Sequence, residues 1–233
     1  MNIALLGYGK MGRIIEEIAE RRGHHIVARV SSQSGFQQAH TADVAIEFSS
    51  PEAAVGHLSW AFEQQLPVVC GTTGWLEQYD TMAQAAQQAE TAFLYASNFS
   101  LGVNLFFEMA RRVGALMAQQ PDYTLELEEV HHIHKKDAPS GTAITLAEQL
   151  MDVAPQYHAW TLGKPGPHDI PIKALREPEV PGTHSLYYRS AIDTIELRHT
   201  AHSREGFALG AVLAAEWLQG KKGVFGMRDV LGL

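Results

Sequence analysis

The residues with the densest chemical potential in this 233-residue chain lie at 126–143, ELEEVHHIHKKDAPSGTA. Three histidines, two adjacent lysines and several carboxylates run into a Pro-Ser-Gly-Thr turn there. Leu125 and Leu127 alternate with Glu126 and Glu128, which predicts a strand with one buried face. From Ala143 to Met151 apolar residues recur at helical spacing, and Ser140 or Thr142 can cap that helix. His131, His132, His134, Lys135 and Lys136 therefore fall between a strand end and a helix start, beside backbone N–H groups that favour an anion. As a metal site, His131, His132 and His134 have ligand chemistry, but the two lysines repel a cation and no cysteine is near. No metal is expected. A nucleotide P-loop fails, because no Gly-Lys-Ser/Thr follows a run of glycines. A solvated loop is the ordinary reading of a His-Lys cluster, yet it leaves the convergence of cations, histidines and helix start without a purpose. An anionic-substrate site with a histidine general acid accounts for it.

The elements that must position this stretch are legible along the chain. Asn2–Leu6 reads as a buried strand, followed by Gly7, Tyr8, Gly9, Lys10, Met11 and Gly12, a G-x-G-x-x-G loop. A helix with Ile14, Ile15 and Ile18 on one face follows, with Gly23 as its stop. At a strand-to-helix junction those glycines allow a tight turn and close approach of backbone to a pyrophosphate, which the helix dipole then stabilises. Strands are expected at His25–Val30 and at 43–48, 67–70 and 91–96, with helices from Pro51 to about residue 65 and over 76–90. The connection 34–41 is expected to hold no element. Strand–helix alternation stops near residue 100, which marks a domain boundary. The helix 103–119 is expected to bury Leu105, Phe106, Met109, Val113 and Leu116 or Met117. Five of the ten prolines fall within 165–181, predicting a long irregular excursion. Strands return at 185–189 and 194–199, and an apolar helix spans 207–218.

Composition bounds the rest. The chain is 45% hydrophobic and 19% charged, ordinary for a globular protein with a sizeable core. A net charge of −8 argues against a nucleic-acid binder. One cysteine, Cys70, excludes an internal disulfide and fits a reducing compartment. No basic stretch precedes the first apolar run, as a signal peptide requires, and no apolar run approaches membrane-span length. The expectation is a soluble, cytoplasmic protein with no membrane partner.

Residues 129–143 resemble the long signature E-x-H-H-x-x-K-x-D-x-P-S-G-T-A of the 4-hydroxy-tetrahydrodipicolinate reductase (dihydrodipicolinate reductase) family. Phe48-Ser49 with Pro51-Glu52, Gly71-Thr72-Thr73-Gly74, Ala96-Ser97-Asn98-Phe99-Ser100, Ser203-Arg204 with Phe207-Ala208, and Met227 to Leu231 resemble further family segments. The similarity thus runs from Gly7 to Leu231. Two departures sit at the cofactor end: the glycine loop is one residue shorter than the common G-x-x-G-x-x-G, and residues that longer members carry after the second strand are missing.

The resemblance implies an α/β protein: a Rossmann-type parallel-sheet domain (1–100 and 207–233) with an inserted α+β substrate-binding and oligomerisation domain (101–206). It implies NAD(P)H-dependent reduction of a small cyclic dicarboxylate in diaminopimelate and lysine biosynthesis, by a homotetramer. His131 is then the proton donor with Lys135 assisting, while His132, Lys135, Ser140, Gly141 and Thr142 hold substrate. The cofactor falls to Gly7–Gly12, Ser31, Ser32, Phe48, Gly71, Thr72, Thr73, Ala96, Ser97, Asn98, Phe99 and Arg204. In a regular strand His131 and His132 face opposite ways, so both line one site only if the strand breaks there. Another Rossmann oxidoreductase of a small acid, or a non-catalytic dinucleotide sensor, stays open. At Ser31-Ser32 the acid that selects NADH is missing, and Lys10 and Arg29 offer positive charge. Both NADH and NADPH are therefore expected to serve, NADPH at least as well.

Overall fold

The computed structural model describes residues 1–31 and 34–233. The expected use of Ser32 lies outside the described residues. The chain divides into two compact units, Met1–Leu101 with Glu205–Leu233, and Gly102–Arg204.

The first unit holds β1 (Asn2–Leu6), α1 (Lys10–Arg21), β2 (His25–Val30), β3 (Val44–Glu47), α2 (Pro51–Glu63), β4 (Val68–Cys70), α3 (Tyr79–Gln88) and β5 (Ala92–Tyr95). Its six-stranded sheet is completed by β11 (Gly223–Phe225), placed with its helices after the second unit's elements below. Strand order is β11-β5-β4-β3-β1-β2 and every pairing is parallel. Both faces are therefore covered, as the unbroken burial of Ile3, Ala4, Leu5 and Leu6 requires. On one face Ile15, Ile18 and Ala19 pack with an alanine-rich helix (Ala208, Ala211, Ala214, Ala215). On the other lie Leu58, Phe62, Met82 and Ala86. The chain leaves β1 for β2 and crosses back to β3, so the carboxyl ends of β1 and β3 form the switch point where such sheets bind ligands.

The second unit holds α4 (Leu101–Met117), β6 (Thr124–His132), α5 (Gly141–Met151), β7 (Ala159–Thr161), β8 (Asp169–Glu177), β9 (Gly182–Arg189) and β10 (Thr194–Ala201). The chain then returns through α6 (Glu205–Leu218) and, beyond β11, α7 (Met227–Leu231). The second sheet has the order β10-β9-β6-β8-β7, with β6 antiparallel to β9 and parallel to β8. Leu125, Leu127, Ile170, Ile172, Leu186 and Tyr188 pack on its helix-covered face.

Several expectations change. The proline-rich excursion contains the nine-residue strand β8. Pro171 is tolerated because pairing with β7 ends at Pro171 and pairing with β6 begins at Ile172. The 34–41 connection carries a short 3₁₀ turn at Ala39–Thr41, and another at Leu76–Gln78 precedes α3. On α4 the buried residues are Val103, Phe106, Phe107, Ala110, Gly114 and Met117. Phe106 and Met117 are buried as expected, whereas Leu105, Met109 and Leu116 are exposed by 40%, 47% and 70%. β6 does not break at the histidines; it runs through His132.

Candidate active site

In β6, Leu125, Leu127, Glu129 and His131 share the buried face, whereas Glu126, Glu128, Val130 and His132 point the other way. Sheet register supplies the neighbours. His184 of β9 stands opposite Glu129, and Arg176 of β8 stands opposite His131. A helix start completes the cluster: Ser140 caps α5, its hydroxyl accepting the Ala143 N–H at 3.2 Å.

Glu129 is wholly buried. Its carboxylate accepts the Ser140 N–H with both oxygens at 3.1 Å, and Oε1 accepts from Arg176 at 3.2 and 3.3 Å. His131 Nδ1 lies 3.2 Å from Oε2 but off the hydrogen-bond axis. Burial pushes the Glu129 carboxyl up, but the neighbouring His131 and Ser140 groups outweigh it and hold it at about 2. It is ionised at neutral pH. The His184 ring stands edge-on to His131 with centroids 5.1 Å apart, and its Nε2 is 3.2 Å from the Ser140 hydroxyl. Burial, then the nearby His131, pushes His184 down to about 3, so it is neutral. Arg176 also binds the carbonyls of Lys135 and Asp137 and so pins the loop that carries the lysines. Lys135 is half-buried and pairs with Asp137 at 2.9 Å, while Lys136 is exposed.

Gly182 has φ +158°, and a Cβ there would lie 3.1 Å from His131 Nε2. Glycine leaves the space beside that nitrogen free of a side chain. The start of α5 is open as well, because Gly141 is exposed and a Cβ on it would meet nothing within 4 Å. The structure thus brings together His131, Ser140 and the start of α5, with Lys135 on the pinned loop. It does not bring His132 to the same face; that ring lies 6.2 Å from His134. Glu129, Arg176 and His184 were missed. Glu129, His131 and His184 offer ligand atoms within 4.8 Å of one another, a different trio from the three histidines of the motif. The Arg176 guanidinium already neutralises Glu129 and competes with any cation.

In the first unit, the residues expected to hold a dinucleotide gather at the carboxyl ends of β1 to β5. Gly7 has φ +103°, and a Cβ on it would collide with the Phe48 carbonyl. The loops after β1 and β3 therefore touch. Gly9 is the N-cap of α1, no side chain caps that helix, and a Cβ on Gly9 would meet nothing within 4 Å. An open, uncapped helix start behind a glycine loop fits a pyrophosphate. Phe48 packs 5.6 Å from Phe99, and the Phe48 ring leaves no room for a side chain at Gly71. Ser49 N–H donates to the Thr72 hydroxyl at 2.8 Å, and Trp75 Nε1 donates to the Thr72 carbonyl at 2.6 Å. Thr72 thus braces the loops, while Thr73 beside it is exposed. Ala96 N–H binds the Cys70 carbonyl, and Asn98 Oδ1 accepts the Ser100 N–H. Ser31 directly follows β2. Arg204, exposed, is the last residue of the second unit.

Behind these loops lies Glu47, also wholly buried and missed from the sequence. It accepts from the Ser49 hydroxyl, lies 3.2 Å from His57 Nδ1, and accepts from the Cys70 thiol at 3.2 Å.

The chain resembles known proteins along its length. The N-terminal model of dihydrodipicolinate reductase matches residues 1–99, and the C-terminal model matches residues 102–231. The 4-hydroxy-tetrahydrodipicolinate reductase of Christiangramia forsetii is 49% identical over 233 residues, covering 99% of this chain and 98% of that protein. The protein of the same name from Aquifex aeolicus is 41% identical over 199 residues, covering 82% and 74%. The dipicolinate-bound dihydrodipicolinate reductase from Paenisporosarcina sp. TG-14 superposes with a TM-score of 0.80 at 21% identity, covering 98% of each chain. That likeness carries the fold: a Rossmann-type parallel sheet with a second, mixed-sheet domain. No helix among the described residues is long and apolar enough to cross a membrane. With both of its halves matched and a 49% identical relative aligned over nearly its whole length, the chain belongs to the dihydrodipicolinate reductase family.

Proposed function

We propose that this chain reduces 4-hydroxy-tetrahydrodipicolinate to tetrahydrodipicolinate with NAD(P)H, on the route to diaminopimelate and lysine. The two compounds differ by one hydroxyl, so the reaction adds a hydride and a proton and releases water. The nicotinamide supplies the hydride when bound. The observation that carries the assignment to residues is the buried Glu129–His131 contact beside the open start of α5.

Glu129, ionised and held by Ser140 and Arg176, fixes the His131 ring with Nδ1 toward the carboxylate. Nε2, the nitrogen beside Gly182, is left to face substrate. His131 delivers the proton as charge builds on the substrate ring. Lys135 and the Ser140-Gly141-Thr142 turn attract the carboxylates, through an ammonium charge and the N–H groups of a helix start. His132 is assigned to substrate by the family signature; its ring lies on the face of β6 opposite His131. The dinucleotide is held by Gly7–Gly12 and the loops after β3, β4 and β5. NADH and NADPH both serve, NADPH at least as well. The protein works in the cytoplasm as a homotetramer joined through the second unit's sheet. The sheet face away from the helices supports this, since it carries Glu126, Glu128, Tyr187 and Arg198 in place of a covering layer.

The test is NADPH or NADH absorbance with enzymatically generated substrate. Substrate-dependent loss is expected with either cofactor. A chain that binds dinucleotide yet oxidises neither one in the presence of substrate overturns the reading.

A further inference from the structure

At the end of β2, Glu16 joins Tyr8 and Arg29 in a polar cluster. Tyr8, in the glycine loop, donates its hydroxyl to Glu16 of α1. Arg29, next to last in β2, donates its Nε to Glu16 Oε1 at 2.8 Å, and its Nη2 reaches the same oxygen. The Arg29 and Arg13 guanidinium carbons lie 5.9 and 5.3 Å from the centre of the Tyr8 ring. Two guanidiniums and one carboxylate thus meet on one tyrosine. The acid is the covered member: its side chain is 14% exposed, against 41% for Arg29. An incoming anion reaches Arg29 from solvent without first passing the acid.

We propose that Glu16 and Arg29 form a charge latch that decides between dinucleotides with and without a 2′-phosphate on the adenosine ribose. The proposal rests on the dinucleotide reading and deepens it. In a sheet of this topology the adenosine ribose lies at the end of β2, where the first unit presents Arg29 and Tyr8. A guanidinium is the natural fork for a phosphate, and its donors are engaged by Glu16 in this structure. A 2′-phosphate draws Arg29 away from Glu16 and comes to rest beside the negative charge of that carboxylate, to which Tyr8 still donates. Neutral ribose hydroxyls contest nothing. Glu16 is therefore an internal competitor of the phosphate, and Arg29 is the residue competed for. The residue that selects the cofactor sits on a helix, not after the second strand.

The probes are adenosine 2′,5′-bisphosphate and AMP, titrated by calorimetry into the full chain, with circular dichroism as the check on folding. Glu16→Gln keeps the side chain's shape and is expected to tighten the bisphosphate about fivefold or more while moving AMP less than about twofold. Arg29→Met is expected to weaken the bisphosphate about tenfold and spare AMP, and Arg29→Lys to recover part of the loss. In turnover the same variants are expected to shift KM for NADPH and leave KM for NADH in place. If Glu16→Gln changes both nucleotides alike, or neither, the pair only ties β2 to α1 and the latch is overturned. If the wild-type chain binds neither nucleotide, the dinucleotide reading fails first and the latch falls with it.

Discussion

Glu129 and Glu47 are both wholly buried, and each has a histidine nitrogen 3.2 Å from its carboxylate. Their remaining partners differ in kind. Glu129 is matched by a guanidinium and by the N–H of a helix cap, and the far nitrogen of its histidine faces a glycine. Glu47 is matched by the Ser49 hydroxyl and the Cys70 thiol, both in or next to loops that carry the glycine cradle. Burial and then the charge of Glu47 push that thiol up, so it stays protonated and can donate. The difference teaches how one motif serves two purposes. In the proposed reading the Glu129 pair takes part in the chemistry, with His131 Nε2 beside Gly182, and the Glu47 pair orders the loops that hold Ser49 and Thr72.

The largest effect is expected at the histidine. His131→Gln should lower kcat by on the order of 10²–10⁴, with a smaller change in KM, because a positioned acid is worth about that much. A variant that keeps most of its turnover in steady-state assays would remove His131 from the reaction and level the two acid–histidine pairs.

Next come the lysines. Lys135→Ala is expected to cost roughly 10- to 100-fold in kcat/KM for substrate, and Lys136→Ala less than about twofold. Only Lys135 is half-buried on the loop that Arg176 pins. Equal losses would mean that charge in general, not this geometry, attracts the dicarboxylate.

The smallest effect is on stability against acid. His184 titrates at about 3 in the fold and about 6.5 unfolded, so the unfolded chain binds the extra proton between those values. The stability that neutral His184 contributes is complete above pH 6.5 and is lost as pH falls toward 3. Glu129, held at about 2, adds a loss that begins as pH falls through the ordinary carboxylate value of about 4.5 and is complete near 2. His184→Gln should therefore flatten the stability curve between pH 6.5 and 3 by at most about 1.4 kcal/mol per pH unit, read from urea unfolding at several pH values. An unchanged slope would show that His184 takes a proton in the folded state.

Much of this arrangement was legible in the residues and some was not. The bounds of β1 and β2 and the glycine loop follow from local pattern, and the structure matches them residue for residue. The signature at 129–143 is contiguous, so its helix cap and its lysines could be read directly. Glu129 was legible in principle. It falls in the same alternation as Leu125 and Leu127, and an acid on a buried face demands a cation. The cation was not legible, because Arg176 and His184 are brought in by β8 and β9 register across more than forty residues. β8 was hidden by its prolines, and β11 is three residues long, too short to carry a period. The buried face of α4 was legible only at Phe106 and Met117, because its apolar residues nearly encircle the helix and only tertiary packing chooses among them.

The comparison is tested most directly by one paired assay, Glu129→Gln against Glu47→Gln, with kcat and the cofactor KM measured in each folded variant. The first should lower kcat by about 10- to 100-fold with cofactor KM near wild type, since it leaves His131 without its orienting charge. The second should raise cofactor KM roughly fivefold and leave kcat within about twofold, since it loosens only the loops around Ser49 and Thr72. Wild-type turnover in Glu129→Gln, or the same kcat loss in both variants, would contradict the claim that only the second unit's pair takes part in the chemistry.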